Sequence, residues 1–403
     1  MRTGLIYMQI GVMLRRLNLS PKRKSKSLIL ALGVFLCLGL GVVFLFGYRG
    51  TKSGYPLLSC KRVTLSYAGN VLTGIEDMAY DRLQDRLFLS AYDRRKAQIG
   101  GIYTLDPQNF NAVKKLDINP HLTPHGIDLS RHGNTLYLSV IDRDLGDRKK
   151  LSARIRQFRL NLENDKWVEI DLPAQAGAFC NANDLISWPG TESDTQSDTP
   201  QYQASLYVTS DHTACSKQGR NRENIFMSDS ASVMHYRPDR NTPVQTSVSG
   251  LYFANGVAMH KTSTPNTDSL NLYIAETRKK RLSLYNHDKK GELILNRHIA
   301  LPGGPDNLSL SFAETSTDTN TPPTLWAALH PNLFKFALFR AGFKKQAPSR
   351  VAHINPNNQA EIFDIPKGII SGATTALAIK DKLYLGAAFD EALAVCDLPR
   401  GLK

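Results

Sequence analysis

GIEDMAYDRLQDRLFLSA, residues 74–91, places a short polar motif ahead of a leucine–aromatic run, and the same order returns five more times along the chain. The runs are RLFLSA (86–91), TLYLSV (135–140), SLYVTS (205–210), NLYIAE (271–276), TLWAAL (324–329) and KLYLGA (382–387). Their leading leucines, Leu87, Leu136, Leu206, Leu272, Leu325 and Leu383, are spaced by 49, 70, 66, 53 and 58 residues. Each run is short, rich in apolar and aromatic residues, and bounded by Gly, Pro, Asn and Asp, which reads as a β-strand. Long helical periodicity is absent after residue 50. Propeller blades are four-stranded sheets that recur at about this period. The spacing therefore predicts an all-β, six-bladed β-propeller.

The polar motifs that precede the runs are GIEDMA (74–79), PHGIDL (124–129), NANDLI (181–186), FANGVA (253–258), GPDNLSL (304–310) and SGATTALA (371–378). Where the gap from motif to run lengthens, it holds a polar insert: TESDTQSDTPQYQ (191–203), KTSTPNTDS (261–269) or ETSTDTNTPP (314–323). These read as hairpin tips. The first strand of a propeller blade lines the central channel, so the six motifs are expected to converge on one axis.

The converging residues are Glu76, Asp77, His125, Asn183, Asp184, Asn255, Asp306 and Asn307. Nearly all are oxygen donors, and many hard oxygen ligands favour Ca²⁺, which takes six to eight. Zinc would require Cys and His at spacings this chain lacks. Any single Asn-Asp or Asp-Asn pair reads equally well as a turn. Polar residues at equivalent places in five blades together point to a metal site. No G-x-S-x-G elbow is present, which argues against a serine acyl-enzyme.

Composition fits a globular protein, with 42% hydrophobic and 21% charged residues. The net charge of +14 is uneven: residues 1–50 hold eight Lys/Arg and no acid, leaving +6 for the rest. No aromatic-plus-basic module accompanies the charge, so nucleic acid is not an expected partner. Leu28 to Phe46 is an uncharged stretch of 19 residues preceded by RRLNLSPKRKSKS. About 20 apolar residues span a bilayer, and basic residues favour the cytoplasmic side. The expected domains are a basic cytoplasmic segment 1–27, a transmembrane helix 28–46, a linker 47–59 and a propeller 60–398 on the non-cytoplasmic side. A cleaved secretory signal is the alternative, although no A-x-A site follows the run. Four cysteines outside the span, Cys60, Cys180, Cys215 and Cys396, allow three pairings. A Cys60–Cys396 bridge would tie the ends of the domain together, and Cys180 and Cys215 could form a second.

The motifs IED (75–77), PHGI (124–127), NAND (181–184), FANG (253–256), PDN (305–307) and LHPN (329–332), with the terminal cysteines, resemble those of the paraoxonase/arylesterase family of six-bladed calcium-dependent lactonases. The resemblance spans about residues 56–398, and extends less closely to gluconolactonase and strictosidine-synthase-like propellers. It implies two calcium ions. Glu76, Asn183, Asn255, Asp306 and Asn307 would hold the upper, catalytic ion. Asp77, Asp184 and the backbone carbonyl of Ile127 would hold the lower, structural one. His125 matches the family's histidine above the catalytic ion, and His330 another pocket histidine. His212 is placed at the pocket rim. Cys60 and Cys396 match the family's disulfide. One position departs: VIDRD (140–144) puts Arg143 where family members often carry a histidine partnered with the first. Arginine is no base near neutral pH, so His125 alone, Asp306 or a calcium-bound water is left as base. The resemblance implies a membrane-anchored hydrolase of lactones or aryl esters. A propeller with other carbonyl chemistry and a non-catalytic calcium-binding propeller are the alternatives. The oligomeric state is not legible.

Overall fold

The computed structural model describes residues 54–402, apart from 97–99, 133, 145–151, 162–164, 173–174, 176–177, 189–204, 239–243, 265–266, 288–291 and 313–321. The chain divides into two units, Met1–Arg49 and Gly50–Lys403. The basic segment 1–27, the apolar run 28–46 and the linker up to residue 53 lie outside the described residues, as do the insert 191–203 and most of 314–323. Among the described residues no helix is long and apolar enough to cross a membrane.

Six four-stranded antiparallel sheets follow one another along the chain. Their inner strands are Ile75–Asp81, Pro124–His132, Ala182–Trp188, Ala254–Thr264, Gly304–Ser311 and Thr375–Ile379, and each carries one polar motif. The leucine–aromatic runs are the second strands: Arg86–Ala91, Thr135–Asp144, Ser205–Ser210, Thr267–Glu276, Thr324–His330 and Lys382–Gly386. A blade packs on neighbours through both faces, which is why these strands read as near-continuous apolar runs rather than as an alternation. In the first blade Leu87, Phe88 and Leu89 are all fully buried. Leu87 and Leu89 pack on Leu377, Tyr384 and Leu393 of the sixth blade. Phe88 faces the other way, onto Ile127, Leu136 and Leu138 of the second. The apolar core is thus six wedges, one between each pair of adjacent blades.

The ring closes through its ends. Cys60–Val63 is the outer strand of the sixth blade and pairs antiparallel with Leu393–Asp397, with Cys60 opposite Cys396. The two are disulfide-bonded across 336 residues, at a Cα–Cα distance of 3.9 Å. A second disulfide joins Cys180, which precedes the third inner strand, to Cys215. Of the three possible pairings the fold thus selects the one that closes the ring.

Two short helices follow second strands. α1, Lys217–Phe226, is capped by Ser216, whose side chain accepts from the Gly219 N–H. α2, Leu333–Arg340, is capped by Asn332, the last residue of the LHPN motif, which accepts from the Lys335 N–H.

Candidate functional site

Five of the six inner strands are interrupted at the same place. The register with the second strand skips between Ile75 and Asp77, Pro124 and Ile127, Ala182 and Leu185, Ala254 and Val257, and Pro305 and Leu308. The residues within or bounding these skips are the polar motifs: Glu76 and Asp77, His125 and Gly126, Asn183 and Asp184, Asn255 and Gly256, Asp306 and Asn307. The sixth inner strand pairs without a skip. A β-bulge leaves residues out of the ladder and re-aims their side chains. That lets two consecutive residues serve the axis, where a regular strand would send one of them into the sheet face. The glycines are required by the crowding that results. A Cβ on Gly126 would lie 2.7 Å from Asp184 Cα, and one on Gly256 would lie 2.5 Å from the Asp306 carbonyl oxygen.

All eight motif residues are buried. The amides are oriented by their own hydrogen bonds. Asn183 Nδ2 donates to Asp211 Oδ2 at 3.2 Å, Asn255 Nδ2 to Asp306 Oδ1 and to Thr277 Oγ1, and Asn307 Nδ2 to the Glu76 carbonyl at 3.0 Å. With each nitrogen taken, the oxygen is what remains. Oδ1 of Asn183, Asn255 and Asn307 and Oε2 of Glu76 are buried and accept no hydrogen bond. A buried acceptor left unmade costs about 1–3 kcal/mol, so four in one locality call for a ligand that accepts oxygen lone pairs. Among the described residues no three His, Cys, Asp or Glu side chains form a metal-binding group. The set is instead amide oxygens with Glu76 and Asp306, the donor chemistry of a hard cation such as Ca²⁺.

Below this group, aspartates staple neighbouring inner strands. Asp77 Oδ2 accepts from the Ile127 N–H, Asp128 Oδ2 from the Ser187 N–H and Asp184 Oδ2 from the Val257 N–H, each at 2.8 Å. Burial raises the pKa of Asp77 well above the ordinary carboxylate value, and Glu76 adds to it. Burial and then Asp77 raise that of Asp184 likewise. Glu76 is pushed to about 7, by burial first, with Arg94 opposing and Asp306 adding. Carboxylates crowded in this way ionise together only with positive charge among them. The upper donor set, with its four oxygens lacking a hydrogen bond, fits a hard cation.

His125 has a partner that sequence reasoning missed. Arg94 Nη2 lies 2.8 Å from His125 Nδ1 and 3.8 Å from Glu76 Oε2. Arginine only donates, so Nδ1 is the acceptor and the ring proton resides on Nε2. Burial lowers the His125 pKa well below its ordinary value, and the charges of Arg143, Arg94 and Arg340 add to this. Arg143 is held by two N–H bonds to the Ala182 carbonyl, beside Asn183. The position of the expected second histidine therefore delivers a fixed cation. Arg94 follows Leu87 by seven residues, the same offset that separates Arg143 from Leu136; that spacing was the available signal.

The other two histidines have carboxylate partners. His330 Nε2 lies 2.7 Å from Asp306 Oδ2, and its ring stacks on Phe336 of α2 at 3.7 Å. His212 Nδ1 lies 2.6 Å from Asp211 Oδ1, and its Nε2 meets Asn224 of α1. Asp211, also missed, connects His212 to Asn183 and so orients a candidate ligand.

Comparison with known proteins matches the Arylesterase family model over residues 69–398. The serum paraoxonase/arylesterase 1 of Mus musculus is 24% identical over 301 residues, covering 73% of this chain and 70% of that protein. The Rattus norvegicus protein of the same name is 26% identical over 305 residues, with the same coverage. Likeness to solved structures is slighter and carries no argument; the Aleuria aurantia lectin, for example, aligns with a TM-score of 0.43 at 8% identity over 85% of this chain and 97% of that one. The family match covers nearly all of the propeller whose axial motifs are described above, and the chain belongs to the arylesterase family.

Proposed function

We propose that the protein is a calcium-dependent hydrolase of lactones and aryl esters, carried on a single N-terminal membrane anchor with the propeller on the non-cytoplasmic side. The observation that carries the hydrolytic part is the set of four buried oxygens without a hydrogen bond on four different blades, each next to a bulge. Glu76, Asn183, Asn255, Asp306 and Asn307 would hold the upper ion, and Asp77, Asp184 and the Ile127 carbonyl the lower. A cation held by the first set supplies Lewis-acid polarisation of the scissile carbonyl and stabilisation of the oxyanion. His125 keeps its Nε2 proton because Arg94 occupies Nδ1, and it serves as a hydrogen-bond donor toward the substrate oxygen. Asp306 takes the proton of the attacking water, and His330 Nε2 orients its carboxylate. The basic segment and the uncharged 28–46 run support the anchor.

Turnover of a panel of lactones and phenyl esters by the full-length protein is expected with calcium and not after chelation. Full activity after chelation and dialysis would remove calcium from the reading.

A second expectation separates donor from base. A histidine whose pKa is depressed is neutral above that pKa and becomes charged only as pH falls through it. His125 therefore stays neutral across the neutral range. His125→Gln is expected to lower the rate by about 10²-fold and to leave the acid limb of the pH–rate profile in place. Disappearance of that limb in the variant would reassign proton acceptance to His125.

A further inference from the structure

α1 is attached to the propeller without an apolar anchor. A surface helix ordinarily docks through a buried apolar stripe, but none of the residues of Lys217–Phe226 is buried. The helix stands in the connection 211–230, between the second and third strands of the third blade. Polar contacts and one covalent bond hold it instead. The Glu223 carboxylate accepts from the N–H groups of Thr213 at 3.2 Å and Ala214 at 2.9 Å. Asn181 Nδ2 donates to the carbonyls of His212 and Ala214, at 3.1 and 3.0 Å. The disulfide joins Cys215, just ahead of the helix, to Cys180, next to Asn181. Hydrogen bonds open to water are individually of modest net worth, and segments held in this way open more readily than a core. The disulfide limits how far this one can move.

One atom of the helix connects two of the candidate ligands. Asn224 Oδ1 lies 3.1 Å from His212 Nε2 and accepts from Arg278 Nη2. Through its other nitrogen His212 holds Asp211 at 2.6 Å, and Asp211 accepts from Asn183 Nδ2 at 3.2 Å. Arg278 lies on the turn Thr277–Lys279 of the fourth blade, and its neighbour Thr277 accepts from Asn255 Nδ2 at 3.3 Å through Oγ1. Arg278 also donates to the Glu223 carbonyl of the helix at 3.3 Å. The ring of Phe253, two residues before Asn255, meets His212 edge-on at 5.3 Å and the Arg278 guanidinium at 5.1 Å. Asn224 thus closes a bridge from blade three to blade four, with Asn183 at one foot and Asn255 at the other. At each foot the bridge engages the amide nitrogen, and the amide oxygen is the orphaned atom. Asn255 Nδ2 is also taken by Asp306, whereas the Asn183 amide is held by Asp211 alone, so the bridge bears most on Asn183.

We propose that Asn224 is a positioning residue for the upper cation set, and that docking of α1, fastened by the Cys180–Cys215 bond, and cation binding reinforce each other. The proposal rests on the cation-binding reading of that set and adds the device that tunes it. Linkage makes the coupling reciprocal: the factor that α1 docking gives to cation affinity is the factor that the cation gives to docking. Trypsin reads the second direction on the full-length protein in detergent. Calcium should slow cleavage within α1, after Lys217, Arg220 and Arg222, by about tenfold. The reference is cleavage after Lys380, which is exposed in the hairpin joining the first two strands of the sixth blade. Calcium calorimetry reads the first direction. Asn224→Ala leaves a better helix former in place, yet should raise by about tenfold the Kd of the calcium site that Asn255→Ala abolishes. In the same variant α1 cleavage should be fast and indifferent to calcium. Asn224→Asp restores an acceptor and should recover most of both. Cys180→Ala with Cys215→Ala should shift both readings in the direction of Asn224→Ala. Equal cleavage of wild-type α1 with and without calcium would overturn the coupling. So would an unchanged calcium affinity in Asn224→Ala, or failure of Asn224→Asp to recover what Asn224→Ala loses. Calcium-linked protection of α1 in a protein that turns over no lactone or ester would remove the hydrolase reading and keep the coupling. Calcium-dependent turnover with unprotected α1 would do the reverse.

Discussion

Asn255→Ala and Asp306→Ala are each expected to lower lactone and ester turnover by at least about 10²–10³-fold, with the folded state largely retained. Each deletes an oxygen of the upper set. Asn255→Ala removes the orphaned Oδ1, and Asp306→Ala removes the carboxylate that Asn255 and His330 both contact. Neither strands a backbone N–H among their described bonds. Asp184→Ala is expected to behave differently. Its carboxylate accepts from the N–H groups of Leu185 and Val257, the latter in the next blade. Removing it orphans two buried donors at about 1–3 kcal/mol each. It also removes a ligand of the proposed lower ion, whose binding to the native state alone would add to stability. The stability loss is therefore expected to reach several kcal/mol and to be larger than for either upper-site variant. Thermal unfolding with and without calcium, measured beside kcat/KM, checks both halves. Equal destabilisation by all three substitutions would dissolve the division into an upper chemical and a lower structural site.

Cys60→Ser with Cys396→Ser is expected to destabilise the propeller by about 2–5 kcal/mol, the upper part of the range for disulfides that close long loops. The bond spans 336 residues and fastens the outer strand of the sixth blade to its neighbour. A propeller leaves only a few strands to close its ring, so loss of the bond leaves Cys60–Val63 held by its four-residue ladder and by Arg62, which pairs with Asp390 and donates to the Ile369 carbonyl. Opening there exposes the wedge between blades five and six, in which Cys396 itself is buried. The bond between Cys180 and Cys215 closes only 35 residues and is expected to contribute less. Chemical denaturation of the double variant checks this. A midpoint equal to that of the wild type would show that the ladder alone holds the ring.

The sequence by itself determined the repeat, the blade count and the inner-strand motifs, because these are local properties. A strand buried on both faces must be apolar at consecutive positions, and Leu87-Phe88-Leu89 states this in three letters. Asn, Asp and Glu ahead of five such strands are likewise visible in one dimension. The bulges are not: nothing in NAND separates a skipped pair from a regular turn, and only pairing with the second strand shows that Asn183 and Asp184 leave the ladder. The partners were equally hidden. Glu76 meets the side chain of Asn307 across 231 residues, and Arg94 reaches His125 from the preceding blade. Such contacts depend on how six blades are rotated about one axis once the ring is closed. That rotation is fixed by wedge packing between blades, which has no linear signature, so only the tertiary structure decided which charges and lone pairs come together.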